Sequence, residues 1–431
     1  MADKGTAPVL GRPIRGYEFN EFVIGLATRL RASLKACGAR SIQIILGIIN
    51  ECFGNKLFDK IPSHTTIDDW CEKAGLDMYM GVKDNYAERD YVTIVDESLS
   101  VGKQKLLAQV AVPADCVGKP LSLSDVDILG LAVQPSWKSD EVKEAIQKTS
   151  KEVGRKPLYV VSDCGGNLCR ACTDAALPHH CDISHSFGNI LKKYFAESSD
   201  FKEFTELMDK KCLSYHLTGK VIVLPPKQRA IARFMNVSNW VFWAMNILDV
   251  YDKLPEVLQE ACSYVLEYRA LIEELNAIIK CMNYAEKRCK NDGLSLSLSD
   301  YLIQVITRDL ITSKEHTKRM QKVGIDMWAY LKKECELLES PKDKHIISSD
   351  VIESSFGVFK SVKSPDKLCG VTRHVLALPL SLKFTSSEER RKFDFKKAME
   401  NVHYRDLQEW SDLNLYGNPA QDRKNLTRKV G

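Results

Sequence analysis

The chain has 431 residues, 44% hydrophobic and 27% charged, with a formal net charge of +4. That length exceeds one ordinary domain and can bury a sizeable core, and the composition excludes a disordered or low-complexity chain. The mild positive charge neither requires nor excludes a nucleic-acid partner, because basic residues can cluster on one face.

Residues 1–16 read as a loose polar tail without the apolar stretch of a secretory leader. A helical region is expected over 17–85. "YEFNEFVIGLATRLRASLKACG" and "SIQIILGIINECFG" carry apolar residues at helical spacing and stop at glycine. "SHTTIDDWCEKAGL" adds a capping Ser or Thr, a short polar-faced helix and another Gly stop. Three such helices suit a helix-turn-helix whose last helix enters a major groove, or a plain helical subdomain.

The pattern changes over 86–195. "DYVTIVDESLS", "KQKLLAQVAVPA" and "LSLSDVDILGLAVQ" read as three strands joined by short turns. "SDEVKEAIQKTSKEVG" reads as an amphipathic helix, "KPLYVVSD" as a buried strand and "GNLCRACTDAAL" as a helix. "HHCDIS" reads as a short strand and "HSFGNILKKYF" as a further helix. Three meandering strands followed by α, β, α, β, α predict a mixed α/β sheet with helices packed on it. Residues 196–345 are expected to be all helical, and 346–384 to hold a closing helix begun by "SSDVIESSFGVFKSVKS". Residues 385–431 read as a basic tail with "RRKFDFKK" and "RKNLTRK". The longest apolar runs, "SIQIILGII" and "WVFWAMNIL", are too short to span a bilayer. Fourteen scattered cysteines in a chain without a leader read as reduced thiols, which places the protein in a cytoplasm.

Two apolar runs end in an acid: Asp96 in "VTIVDES" and Asp163 in "YVVSDCGG". Acids at the carboxyl ends of strands converge on the crevice where α/β sheets bind ligands. Each alone could also be a turn or cap residue. A third carboxylate would complete a site for two hard cations of the kind that drives phosphodiester transfer. Glu353 is the candidate, on a helix rich in Val, Ile and Phe. Lys360 follows by two helical turns on the same side, where it could hold a phosphate. Asp350 and Glu353 also have capping-box-like spacing, so a cap is the competing reading, and Asp350 is the alternative ligand.

The cysteine-rich stretch 160–185 raises a zinc site as a second possibility. Cys164, Cys169, Cys172, His179, His180 and Cys181 could supply ligands, with Cys169-x2-Cys172 as a half-site. The second half-site has the wrong spacing, because "HHC" on a strand sends alternate side chains to opposite faces. Buried structural thiols are the preferred reading.

The order of these features resembles the RNase H-like fold of DDE cut-and-paste transposases of the bacterial insertion-sequence type. The resemblance rests on Asp96, Asp163, and Asp182-Ile183-Ser184-His185, in the place of a Cys/Asp-x-x-His motif, nineteen positions after Asp163. It rests also on the long helical stretch before Glu353 and on Glu353-x6-Lys360. One group carries Tyr-x2-Arg-x3 ahead of that Glu; this chain has Ile346 and Ser349 at those places. The resemblance implies an RNase H-like catalytic core interrupted by an all-α insertion and preceded by an all-α helix-turn-helix region. It implies that Asp96, Asp163 and Glu353 hold two Mg²⁺ ions, with Mn²⁺ as the substitute. His185 would contact the scissile phosphate or orient water, while Asp182 shapes the strand end. In the insertion, Arg229 and Arg233 would contact DNA backbone and Trp240 or Trp243 would stack on a flipped base, although helical tryptophans are usually core. The partners implied are terminal inverted repeats, target DNA and a second copy of the chain. The alternatives are an RNase H-like nuclease without strand transfer, a non-catalytic DNA-binding protein of the same fold, and a zinc-structured regulator.

Overall fold

A computed structural model describes residues 13–34, 37–216, 218–227, 234, 237–312, 316–362 and 370–417. The elements begin with three helices, α1 (Glu21–Ser33), α2 (Ala39–Cys52) and α3 (His64–Gly81). Three strands follow: β1 (Tyr91–Val101), β2 (Gln104–Pro113) and β3 (Asp127–Gln134). Then helices and strands alternate as α4 (Ser139–Val153), β4 (Val160–Ser162), α5 (Gly166–Asp174), β5 (His179–Cys181) and α6 (Ile183–Phe195). Six helices continue as α7 (Ser199–Tyr215), α8 (Val237–Val250), α9 (Glu256–Glu267), α10 (Arg269–Asp292), α11 (Leu296–Ile306) and α12 (Lys318–Cys335). The remainder is α13 (Asp350–Val362), α14 (Ala377–Lys383), α15 (Ser387–Lys392), α16 (Phe395–Asn401) and α17 (Tyr404–Asn414).

The protein is mixed α/β, with one mixed sheet in the order β3-β2-β1-β4-β5. β1 pairs antiparallel with β2 and parallel with β4, and β2 pairs antiparallel with β3. The turn from β1 to β2 is tight, with Gly102 at φ 63°. The β2–β3 connection is not the short turn expected: residues 114–126 include two 3₁₀ turns, at Ala114–Cys116 and Leu123–Asp125. Val95, Leu107 and Val160 share a core with Val142 and Ile146 of α4 and Leu168 of α5. β-branched residues fill these strands because a sheet face covered by helices has no use for alternation with polar side chains.

The chain divides into two compact units, one of residues 1–116, 121–179 and 349–431, the other of residues 117–120 and 180–348, so the division falls within β5. In the first unit, α1–α3 share a core with the C-terminal helices: Ile24, Ile42 and Trp70 lie with Leu380, Phe395 and Met399. Two expectations change here. The segment after residue 385 is no tail; 387–414 folds into three helices, with Phe395, Ala398, Leu407 and Trp410 buried. Its many charges hid a short apolar stripe at helical spacing. Residues 418–431, with the second basic cluster, lie outside the described residues.

The second change concerns α3. It is 18 residues long, and only Thr65, Met80 and Gly81 are exposed along it. It packs against α1, α2, α14, α16 and α17. Its acids are also poorly suited to a phosphate-lined groove: Asp69 and Glu72 pair with Arg373, and Asp68 with Arg31. α3 is the central helix of this layer.

The second unit is built from helices α6–α12 around one core. Trp240 is 2% exposed there, with ring centroids 5.7 Å from Phe201 and 5.6 Å from Phe204. That burial makes it a packing residue rather than a stacking platform for a base. Trp243 is partly buried against the same core. Arg229 and Arg233 lie outside the described residues. Among the described residues, no helix is long and apolar enough to cross a membrane.

Candidate active site

Two of the expected acids follow the paired stretch of β1 and β4. β1 and β4 run parallel, with Thr93 opposite Val160, Ile94 opposite Val161 and Val95 opposite Ser162. One residue beyond the last pair stand Asp96, still within β1, and Asp163, the first residue after β4. Continued by one residue, that register would put both side chains on the face opposite Val95 and Val160.

Asp96 differs in one respect from its expected place. It sits mid-strand, 8% exposed and opposite Ala108 of β2, because β1 continues to Val101. A bulge follows at once, between Asp96 and Leu99. Bulges bend a strand and re-aim the side chains beside them. Asp163 lies just past β4 and is held by its own loop: the Gly165 amide donates to Oδ1 at 2.9 Å. A Cβ at residue 165 would lie 2.7 Å from that oxygen, so a larger residue there would require the Asp163 carboxylate to shift. Ser162 holds the adjoining turn, donating to the Asp163 carbonyl at 2.9 Å and lying 2.8 Å from His179 Nε2.

Glu353 lies on α13, which packs against β1, but on the exposed side of that helix, and among the described residues it does not join Asp96 and Asp163 in one metal-sized cluster. Ile352, Ser355, Phe356 and Phe359 form the helix's buried stripe, at i, i+3, i+4 and i+7. Glu353, Gly357 and Lys360 form the exposed stripe. Glu353 and Lys360 thus share a face, as their spacing implied. The helix begins at Asp350 itself, and the Glu353 amide lies 3.4 Å from the Ser349 carbonyl. Ser349 therefore occupies the place that a capping-box reading gave to Asp350.

In the second unit the Asp-x-x-His motif has a local structural role. Asp182, fully buried, is the N-cap of α6, and its Oδ1 accepts from the His185 amide at 2.7 Å. His185 is the third residue of that helix and half-buried. The cap satisfies an amide that a helix start leaves without an intrahelical partner.

Nearby is a polar chain that the sequence gave no reason to assemble. His180, fully buried on β5, places Nδ1 2.8 Å from Glu334 Oε2 of α12 and Nε2 2.8 Å from His345 Nδ1. These partners lie 154 and 165 residues away, so no spacing rule could find them. Burial, and then the neighbouring His180, push His345 down to about 4. A histidine depressed in the folded state contributes stability that is complete above its unfolded value, near 6.5, and lost as pH falls toward 4. The expected loss by pH 5 is about 1 kcal/mol after allowance for solvent screening, or about 2 °C in melting temperature. Thermal melts of wild type and His345→Gln from pH 7.5 to 5 check it, and a wild-type-minus-variant difference that stays flat across that range rejects it.

The cysteines divide by environment. Cys172 lies in the α4–α5 core, and burial pushes its thiol up to about 12, as expected for an inert packing residue. Cys164 is half-buried. Cys169 and His179, both in the first unit, offer ligand atoms within 4.8 Å of each other. Cys181 is buried.

No protein-family model matches this sequence, and no curated protein matches it. The functional reading rests on the residues themselves.

Proposed function

We propose that the chain is a DDE transposase with an RNase H-like core, which cuts DNA at transposon ends and joins the freed 3′ ends to target DNA. What supports this reading is the parallel pairing of β1 with β4, the two strands at whose paired ends Asp96 and Asp163 follow. α13, with Glu353 and Lys360 on one face, packs against β1.

The donor chemistry fits a hard divalent cation. Asp96, Asp163 and Glu353 offer only carboxylate oxygen, which suits Mg²⁺ or Mn²⁺ rather than a thiophilic metal. A bound pair of such ions would supply activation of the attacking water or 3′-hydroxyl and charge neutralisation at the leaving oxygen. The protein's own part is positional. The Gly165 amide holds one Asp163 oxygen and so fixes the direction of the carboxylate. Lys360, exposed two turns after Glu353, would hold a non-bridging phosphate oxygen by charge-assisted hydrogen bonding. In this reading the protein works in a cytoplasm, as a dimer or larger assembly on paired inverted repeats. Recognition of those repeats falls to surfaces other than α3.

The deciding assay uses the DNA bracketing the gene, with inverted repeats identified from its flanks. Pre-cleaved ends with free 3′-hydroxyls are incubated with purified protein, target plasmid and Mg²⁺. Joined product is the expected result. Metal-dependent cutting without joining supports the nuclease reading instead, and metal-independent binding alone supports the DNA-binding reading.

A further inference from the structure

Within the first unit, α13 is anchored through a residue that the proposed chemistry does not use. His374 lies in the 3₁₀ turn Arg373–Leu376 and is 4% exposed. Its Nε2 is 2.9 Å from Nη2 of Arg31, itself 4% exposed on α1. An arginine cannot accept, so the ring nitrogen does, and the ring proton sits on Nδ1. That proton faces acids of α3: Nδ1 lies 3.9 Å from Asp68 Oδ1 and 4.0 Å from Glu72 Oε1. Arg31 Nε donates to Asp68 at 3.0 Å, while Arg373 binds Asp69 at 2.8 Å and pairs closely with Glu72. The imidazole is therefore fixed in position and tautomer by groups from two helices.

The ring held in this way meets Phe359 of α13, at a centroid distance of 6.2 Å and an interplanar angle of 33°. Phe359 is the last member of the buried stripe, and Glu353 and Lys360 are on the exposed side, about a quarter turn round the helix. Whatever fixes the rotation of that stripe fixes where Glu353 points. A turn of about 20° about the axis would move an atom at the rim of the helix by about 2 Å. Site groups need placement within about 0.5 Å.

We propose that His374 is a positioning residue: clamped by Arg31, it sets the rotation of α13 through Phe359 and so aims Glu353 at the metals. This rests on the transposase reading above. It ties the N-terminal helices to the catalytic carboxylate by a route separate from DNA binding.

The test compares wild type, His374→Leu, His374→Gln and Phe359→Leu. Gln keeps an oxygen that can accept from Arg31; Leu leaves the guanidinium buried without that partner. Three quantities are read: Mn²⁺ affinity without DNA, the Mg²⁺ concentration for half-maximal end cleavage, and affinity for end DNA. His374→Leu should weaken Mn²⁺ binding and raise the Mg²⁺ requirement at least tenfold, with end-DNA affinity within threefold of wild type. His374→Gln should restore both metal readouts to within threefold. Should His374→Leu not fold, Phe359→Leu, which leaves the ion network intact, must show the same shift in Mg²⁺ requirement. A folded variant with wild-type metal response overturns the positioning role alone, provided wild type binds Mn²⁺ and cleaves. A wild type that does neither overturns the reading and this role together.

Discussion

Asp163→Asn should abolish Mg²⁺-dependent cleavage of end DNA while leaving the fold intact. The substitution removes one negative charge from the proposed cation site. Loss of the several kcal/mol that metal ions contribute at the transition state corresponds to a rate at least about a thousandfold lower. The local structure should survive, because the asparagine oxygen can still accept from the Gly165 amide that Asp163 Oδ1 engages. The melting temperature should stay within about 2 °C of wild type. A rate assay over Mg²⁺ and Mn²⁺, paired with a thermal melt, separates the two effects. Unchanged cleavage by the folded variant would remove Asp163 from the chemistry.

The second large effect concerns stability and is independent of any functional reading. Gly75→Ala should destabilise the first unit by about 4 kcal/mol or more, at the edge of what a domain tolerates. Gly75 lies where α3 touches the main chain at residue 376, and a Cβ there would be driven into the Leu376 carbonyl oxygen. Overpacking a core with a methyl group usually costs about 1–3 kcal/mol, because side chains shift to make room. Here the obstacle is backbone, held in the same turn as Arg373 and His374, so the helix itself must move. Gly47→Ala in α2 is the matched control. A Cβ there meets nothing within 4 Å, so the better helix propensity of alanine should add up to about 1 kcal/mol. Chemical denaturation of the two variants should move in opposite directions. A Gly75→Ala protein as stable as wild type would mean that α3 is not seated against residue 376.

Much of the architecture could be read from the chain alone, for identifiable reasons. "YVTIVD" and "YVVSD" announced buried strands because both faces of a covered sheet are apolar and run on without alternation. The residues just before each Asp, Val95 and Ser162, pair because parallel strands align like positions. Glu353 and Lys360 were found on one face because helical spacing is local. What escaped were pairings made over long separations. α3 read as polar-faced, yet Arg31 pairs with its Asp68, and Arg373, about 300 positions away, pairs with Asp69 and with the buried Glu72. The same holds for His180 with Glu334 and His345. The helices of 387–414 escaped because their charges outnumber the few residues, Phe395 and Trp410 among them, that bury them. Trp240 went to the core for the usual reason: a large apolar surface in a helical bundle finds other aromatic rings before it finds solvent.

The claim on which the rest depends is that Asp96, Asp163 and Glu353 share bound metal. Iron-directed cleavage tests it without any knowledge of the DNA ends. Fe²⁺ is exchanged into the purified protein, and ascorbate with peroxide generates hydroxyl radicals that cut the backbone beside the bound ion. The fragments are then mapped by mass. Cuts clustered near residues 96, 163 and 353, suppressed by excess Mg²⁺ and absent in Asp163→Asn, are the expected result. Cuts near 96 and 163 with none around 353 would remove Glu353 from the site, and cuts at none of the three would contradict the shared metal site.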